Sequence, residues 1–237
     1  MLSIDCLTGK SRQHLSLVPL AHSTAHFLQK DAAKAFLALQ KTAKKAGFNL
    51  QPISCFRDFA RQQWIWNHKF NGIRKVHDRY GNIINLSMLD DWQRCEAILH
   101  WSSPPGASRH HWGTEIDFFD PHLLTSGEPL SLEAQAYQKG SCFFPLVEFL
   151  LDNIAHYDFE LPYTKLPDNK KRGIEYWHLS YQPLAEKARQ RLTPEVLFDT
   201  WKNEKIAGNS ALKQRISTLL NTLSYKDEKE SSTNNGL

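Results

Sequence analysis

Long apolar runs are missing from this 237-residue chain, and no stretch approaches the ~20 residues that a helix needs to cross a bilayer. A transmembrane helix is therefore excluded. The opening MLSIDCLTGKSRQHLSLVPL carries Asp5 and no unbroken apolar core, so no secretory signal is read there. A cytoplasmic location is the expectation, a periplasmic or extracellular one staying open. Cysteine is scarce, with four residues at positions 6, 55, 95 and 142. None form a CxxC pair, which excludes a local cysteine zinc knot, and four are too few for a disulfide framework in a chain this long. Buried free thiols are expected. HExxH, GxGxxG, GxxxxGK[ST] and GxSxG are all absent, which removes the two-histidine zinc helix, the usual nucleotide loops and the serine nucleophile elbow. No repeat of solenoid length occurs. The 29 basic and 25 acidic residues are dispersed, so the net charge of +4 makes no nucleic-acid patch.

What is present is an ordinary globular composition, 41% hydrophobic and 23% charged, in a chain long enough to bury a core. Residues 31–46 read as an amphipathic helix closed by Gly47, with Lys34, Lys41, Lys44 and Lys45 on its solvated face. FNLQPIS reads as a strand, 58–68 as a helix, 76–88 as a small hairpin or loop, and 90–101 as a helix stopped by Ser102-Ser103-Pro104-Pro105-Gly106. Residues 113–119 read as a strand, followed by a long loop through Pro129 and a helix over 145–155. Further strands are expected at 157–161 and 174–179, and helices from Pro183 to Leu223 with breaks at Thr193-Pro194 and Gly208. The polar tail 226–237 is expected to be disordered. The fold class expected is α+β, a small mainly antiparallel central sheet flanked by helices. The division expected is one main domain over 1–182 and a helical C-terminal extension over 183–225 packed on it.

Three segments carry the chemistry: Ser54-Cys55-Phe56-Arg57, the run from Pro105 to Asp117, and Glu175-Tyr176-Trp177-His178. His110 sits on a loop of small residues, Asp117 follows on a strand, and Gly113 lets the chain turn between them. A second strand is read to offer Glu175 and His178. Two imidazoles and one carboxylate make a three-ligand set with an open position, the set that catalytic zinc prefers. A carboxylate outside the set can move the proton of an attacking water, and Glu175 is the candidate. Arg57 can meet a developing oxyanion or hold a substrate carboxylate. Each piece alone is ordinary; their conjunction in this order is not.

The three segments resemble the signature of the VanY-like D-alanyl-D-alanine carboxypeptidases, zinc peptidases whose fold is shared with lysostaphin-type enzymes and the hedgehog signalling domain. That family reads S-x-[YF]-R, then P-G-x-S-x-H-x-x-G-x-A-x-D, then E-x-W-H-x-x-Y. Ser54, Phe56 and Arg57 match the first; Pro105, Gly106, Ser108, His110, Gly113 and Asp117 the second; Glu175, Trp177, His178 and Tyr181 the third. The similarity runs over residues 31–182. It implies one zinc ion on His110, Asp117 and His178, Glu175 as catalytic base, and Arg57 near the substrate carboxylate or oxyanion. It further implies Ser108 and Trp177 beside the substrate, a peptidoglycan stem peptide or muropeptide. A D,D-carboxypeptidase is expected; an L,D-carboxypeptidase, a dipeptidase, an endopeptidase or a zinc-retaining binding module are the alternatives. A monomer is favoured. Three departures stand out. Glu115 occupies a usually small position, on the same strand face as Asp117, and is read either as a rival ligand or as a solvated side chain. His111, adjoining His110, is expected behind the site or on the surface. Ser180 stands where an Arg is common. The segment 70–100 is expected to cover the cleft.

Overall fold

The computed structural model describes residues 2–16, 26–124, 134–164 and 173–223. After a single turn, α1 (Ile4–Leu7), the first long helix is α2 (Lys30–Lys45), whose Ala32, Ala33, Phe36, Leu39 and Ala43 are buried at helical spacing. Lys34, Lys41, Lys44 and Lys45 on it face solvent, as the pattern requires. It ends in a Schellman pair: Gly47, at φ +94°, donates to Lys44 and Phe48 donates to the Ala43 carbonyl.

Four strands make one antiparallel sheet in the order β1 (Gln51–Ser54), β2 (Glu115–Phe119), β4 (His178–Tyr181), β3 (Phe159–Glu160). The α+β class expected from the chain is the class found. The face covered by α2 and by α6 (Phe144–Asn153) forms one core with Ile116, Phe118, Leu146, Leu150 and Leu179. A second core lies under α3 (Phe59–Phe70) and α4 (Asp91–Leu99). Asp58 caps α3 by accepting from the Arg61 N–H, and Asp90 with Gln93 makes a capping box at α4. Between these helices, residues 76–88 form a small loop pinned by a bridge from His77 to Ile83 and by the Asp78 carboxylate. The four cysteines are free thiols.

Two strand boundaries differ from expectation. The strand expected over 157–161 is reduced to Phe159–Glu160, because Ile154–Tyr157 continues α6 as a 3-10 turn and Pro162 has no N–H for a ladder. The strand expected over 174–179 begins only at His178; residues before it turn, with the His178 N–H donating to the Glu175 carbonyl at 3.4 Å. The loop and tail expected at 120–129 and 226–237 fall partly and wholly outside the described residues.

Beyond β4 the chain is helical: α7 (Gln182–Arg189), α8 (Pro194–Thr200), α9 (Asn209–Gln214) and α10 (Ile216–Leu223). The breaks fall at Thr193, which caps α8, and at Gly208, which precedes α9. Leu197, Trp201, Leu212 and Leu219 are fully buried against Trp66, Phe70, Cys95 and Ile98 of α3 and α4. Trp201 also donates its indole N–H to the Pro105 carbonyl at 2.6 Å, tying α8 to the segment that leads to His110. Among the described residues no helix is long and apolar enough to cross a membrane. Trp201→Ala removes that indole and leaves a void; it is expected to cost roughly 3–5 kcal/mol, read as a lower urea midpoint at unchanged m.

Candidate active site

The geometry begins at the 3-10 turn Arg109–Trp112, which carries His110. Gly113 closes the turn at φ +68°, and a Cβ there would lie 2.5 Å from Leu15 Cδ2 and 3.2 Å from the Gln29 nitrogen. Only glycine fits both the backbone and the space. His110 Nδ1 lies 2.6 Å from the Cys55 carbonyl, which can only accept, so this nitrogen carries the proton. Its Nε2 is left facing Asp117 Oδ2 at 3.3 Å.

Asp117 on β2 stands directly opposite His178 on β4, and Glu115 opposite Ser180. Alternation along each strand puts all four side chains on one face. His178 Nδ1 is 2.9 Å from Asp117 Oδ1. Donor atoms of His110, Asp117 and His178 all lie within 4.8 Å of one another, and the three residues are buried. A tetrahedral ion with bonds of ~2.1 Å holds its donors about 3.4 Å apart, so this His–Asp–His set fits zinc with small adjustments. Glu175 sits beside the set, 5% exposed, with Oε2 4.0 Å from His178 Nδ1. The turn before β4 makes this possible: on a continuous strand the odd spacing would put Glu175 and His178 on opposite faces.

Arg57 enters from the loop after β1. Its backbone N–H donates to the His110 carbonyl at 3.1 Å, and its guanidinium donates to Gln62 Oε1 at 2.8 Å and Ser54 Oγ at 3.2 Å. It stops 3.8 Å from Asp117 Oδ2. Ser54 therefore aims Arg57, which gives the Ser-x-Phe-Arg segment a mechanical meaning. Ser108 is buried on the wall of the same cavity. Trp177 belongs mainly to the core, stacked on Trp101 at 5.9 Å and against Tyr137, with part of it on the cavity wall. The cavity has a volume of about 320 Å³, and Arg74 and His77 of the 70–100 segment are among the residues that line it.

One expectation about the departures is corrected, for Glu115, and for His111 the structure shows one of the two places expected, behind the site. Glu115 is neither solvated nor in the three-donor cluster: it is fully buried and accepts from His178 Nε2 at 2.7 Å. His111 is not on the surface. Its Nδ1 donates to the Arg57 carbonyl at 2.6 Å and its Nε2 accepts the Gly106 N–H at 3.0 Å, so it braces the loop behind the site. Burial pushes its pKa down to about 3 and keeps it neutral. Two residues escaped the sequence reading. Tyr163 packs on the His178 ring at 4.8 Å, and nothing in the spacing of Leu-Pro-Tyr-Thr signals it. Arg109 lies inside a recognised segment but at an unspecified position, and its burial beside Glu115 appears only in three dimensions.

A family model for VanY, D-alanyl-D-alanine carboxypeptidase, matches residues 25–184. The chain belongs to the VanY family. The match spans all the site residues described above. Among its relatives is an uncharacterized protein of Haemophilus influenzae, 61% identical over 102 residues, which are 43% of this chain and 70% of the relative. Two solved structures share the VanY-type fold. VanYB in complex with D-alanine-D-alanine is 18% identical, with TM-score 0.51, over 83% of this chain and 92% of that one. The LdcB LD-carboxypeptidase is 21% identical, with TM-score 0.50, over 84% of this chain and 82% of that one.

The electrostatics of this VanY-family site follow from its carboxylates. Burial alone would lower the His178 pKa, but bonds to Asp117 and Glu115 and their charges lift it to about 9. Burial would raise both acids. Arg109 and His178 instead hold Glu115 down near 2, and His110 and His178 hold Asp117 well below the usual carboxylate range. Without metal, His178 is thus an imidazolium between two carboxylates, and a metal must displace its proton. Zinc affinity is expected to rise about tenfold per pH unit from neutrality to about pH 9, then level off, with proton release in calorimetry. The sign for stability without metal is the opposite. A raised histidine pKa stabilises fully below the unfolded value of 6.5 and loses that contribution as pH rises through about 9. The depressed acids contribute above their ordinary range and lose it as pH falls toward 2. The metal-free melting temperature should therefore peak near pH 5–6.5 and fall on both sides.

Proposed function

We propose that this chain is a zinc-dependent carboxypeptidase that hydrolyses the terminal D-alanine bond of peptidoglycan stem peptides, a D,D-carboxypeptidase acting as a single chain with one ion. The observation that carries the reading is the placement of Glu175 and Arg57 around the His110–Asp117–His178 set, inside one cavity. VanYB, bound to D-alanine-D-alanine, and the LdcB LD-carboxypeptidase support the substrate class. His110 through Nε2, Asp117 through a carboxylate oxygen and His178 through Nδ1 would hold the ion. When bound, zinc supplies a Lewis acid that acidifies water and polarises the scissile carbonyl.

The chain's own residues do the rest. Glu175 takes the proton of the attacking water and returns it to the leaving D-alanine amine. It lies beside His178, with Oε2 4.0 Å from Nδ1, on the wall of the same cavity as the donor set. Arg57, held by Ser54 and Gln62, keeps guanidinium protons for the developing oxyanion or the terminal carboxylate. Ser108 and the cavity edge of Trp177 contact the peptide.

Glu175→Ala should lower turnover by about 10²- to 10⁴-fold while zinc stays bound at one per chain. Arg57→Ala should cost about 10²- to 10³-fold. The deciding assay is incubation of zinc-loaded protein with muropeptides, read by mass spectrometry. Loss of one alanine from the D-Ala-D-Ala pentapeptide is the expected result. Loss only from the tetrapeptide makes the enzyme an L,D-carboxypeptidase. Zinc bound with cleavage of neither peptide would favour an endopeptidase or a binding module, and full turnover by Glu175→Ala would remove Glu175 from its role.

A further inference from the structure

The catalytic reading uses one side of His178 and leaves the other unexplained. The imidazole lies between two carboxylates, with Nδ1 2.9 Å from Asp117 Oδ1 and Nε2 2.7 Å from Glu115 Oε2. A ring that gives one nitrogen to a metal must keep its proton on the other, and the partner of that proton sets which way the ring faces. Glu115 is that partner, and it is held from all sides. Arg109 Nε reaches Oε2 at 3.2 Å; Thr114 and Ser180 hydroxyls donate to Oε1 at 2.8 and 2.9 Å. Arg109 also donates to Ser180 Oγ at 2.5 Å, and its guanidinium lies over the Trp112 and Tyr163 rings.

A fully buried carboxylate with no counter-charge would be costly, and Arg109, only 8% exposed, offsets it. Positions 115 and 180 are opposite one another in the β2–β4 register, so the two departures noted in the sequence meet in one cluster. Glu115 lies too far round the ring to share the face that Asp117 and His110 present, and its oxygens are already saturated by these donors.

We propose that Glu115 is a positioning residue of the metal centre: it accepts a hydrogen bond from the Nε2–H of His178, turns Nδ1 toward Asp117 and His110, and is itself held and neutralised by Arg109. This rests on zinc binding at the three-donor set and not on the peptidase reading. The test measures the zinc dissociation constant by chelator competition, together with the ¹H–¹⁵N spectrum of the His178 ring in zinc-loaded protein. Wild type should show a slowly exchanging Nε2 proton. Glu115→Gln keeps an acceptor oxygen and should retain that signal with a small loss of affinity. Glu115→Ala should lose the signal and bind zinc about 10- to 100-fold more weakly.

Glu115→Ala also leaves Arg109 with only the half-exposed Glu160, 3.9 Å away, as counter-charge, so the paired variant Arg109→Leu/Glu115→Leu, which removes both buried charges, is measured beside it. Its near-ultraviolet dichroism reports whether the core is intact. A folded paired variant with the same weakened affinity and missing Nε2 signal is the expected result. Unchanged affinity or an unchanged Nε2 signal in that variant overturns the proposal and leaves Glu115 as a core ion pair only. Wild type that binds no zinc overturns it as well, whereas zinc binding with no cleavage of any muropeptide leaves it standing and sinks only the peptidase reading.

Discussion

The site depends on one cross-strand pair. Asp117 on β2 and His178 on β4 face each other in register, with Oδ1 and Nδ1 2.9 Å apart. Because neighbouring positions on antiparallel strands alternate faces, this single pairing also decides where Glu115 and Ser180 go. A slip of one residue would send Asp117 into the apolar core and Ile116 into the cavity. The sheet that enforces the register is short, and its strength comes from what covers it: Ile116, Phe118 and Leu179 on the opposite face are fully buried against α2 and α6. Core packing and donor geometry are two sides of the same pleat.

Around that pair the chain arranges charge in layers. Asp117 meets His110, His178 and, more distantly, Arg57; Glu115 meets His178 and Arg109. Asp117 and Glu115 thus each have a cation or a potential cation against them, which is what allows these two carboxylates to stay ionised out of water. His111 shows the contrasting solution. With the Arg57 carbonyl on one nitrogen and the Gly106 N–H on the other, it is satisfied as a neutral ring and holds the Arg57 loop against the turn of His110. Two adjacent histidines in the sequence therefore do different work, one facing the cavity and one facing away.

The C-terminal helices carry no chemical signal in their sequence, and the structure gives them a mechanical one. Trp201 and Leu197 pack under α3, and the Trp201 indole holds the Pro105 carbonyl at the entrance to the His110 segment. α3 in turn supplies Gln62, which bonds Arg57 and the Ser103 carbonyl. The second core is thus the floor on which Arg57 and the His110 loop rest.

Much of this is legible in the sequence. The helical period of 31–46 with Gly47 after it, the helix over 58–68, and the breaks at Thr193 and Gly208 are local signals, written in residues a few positions apart. Membership in the VanY family was also legible, because its three segments are short and ordered. What the sequence by itself determined is the set of groups available: two histidines, an aspartate, a glutamate and an arginine at family spacing. Tertiary structure alone decided which nitrogen of each histidine faces the cavity, that Glu175 sits on a turn instead of a strand, and that Glu115 lies against Arg109 and His178 and not in solvent. The physical reason is that these depend on strand register and on contacts across long stretches of chain, such as the separation of 63 positions from Glu115 to His178. Local propensity signals that a strand exists, but its partner and its neighbours fix where it begins and what each side chain meets.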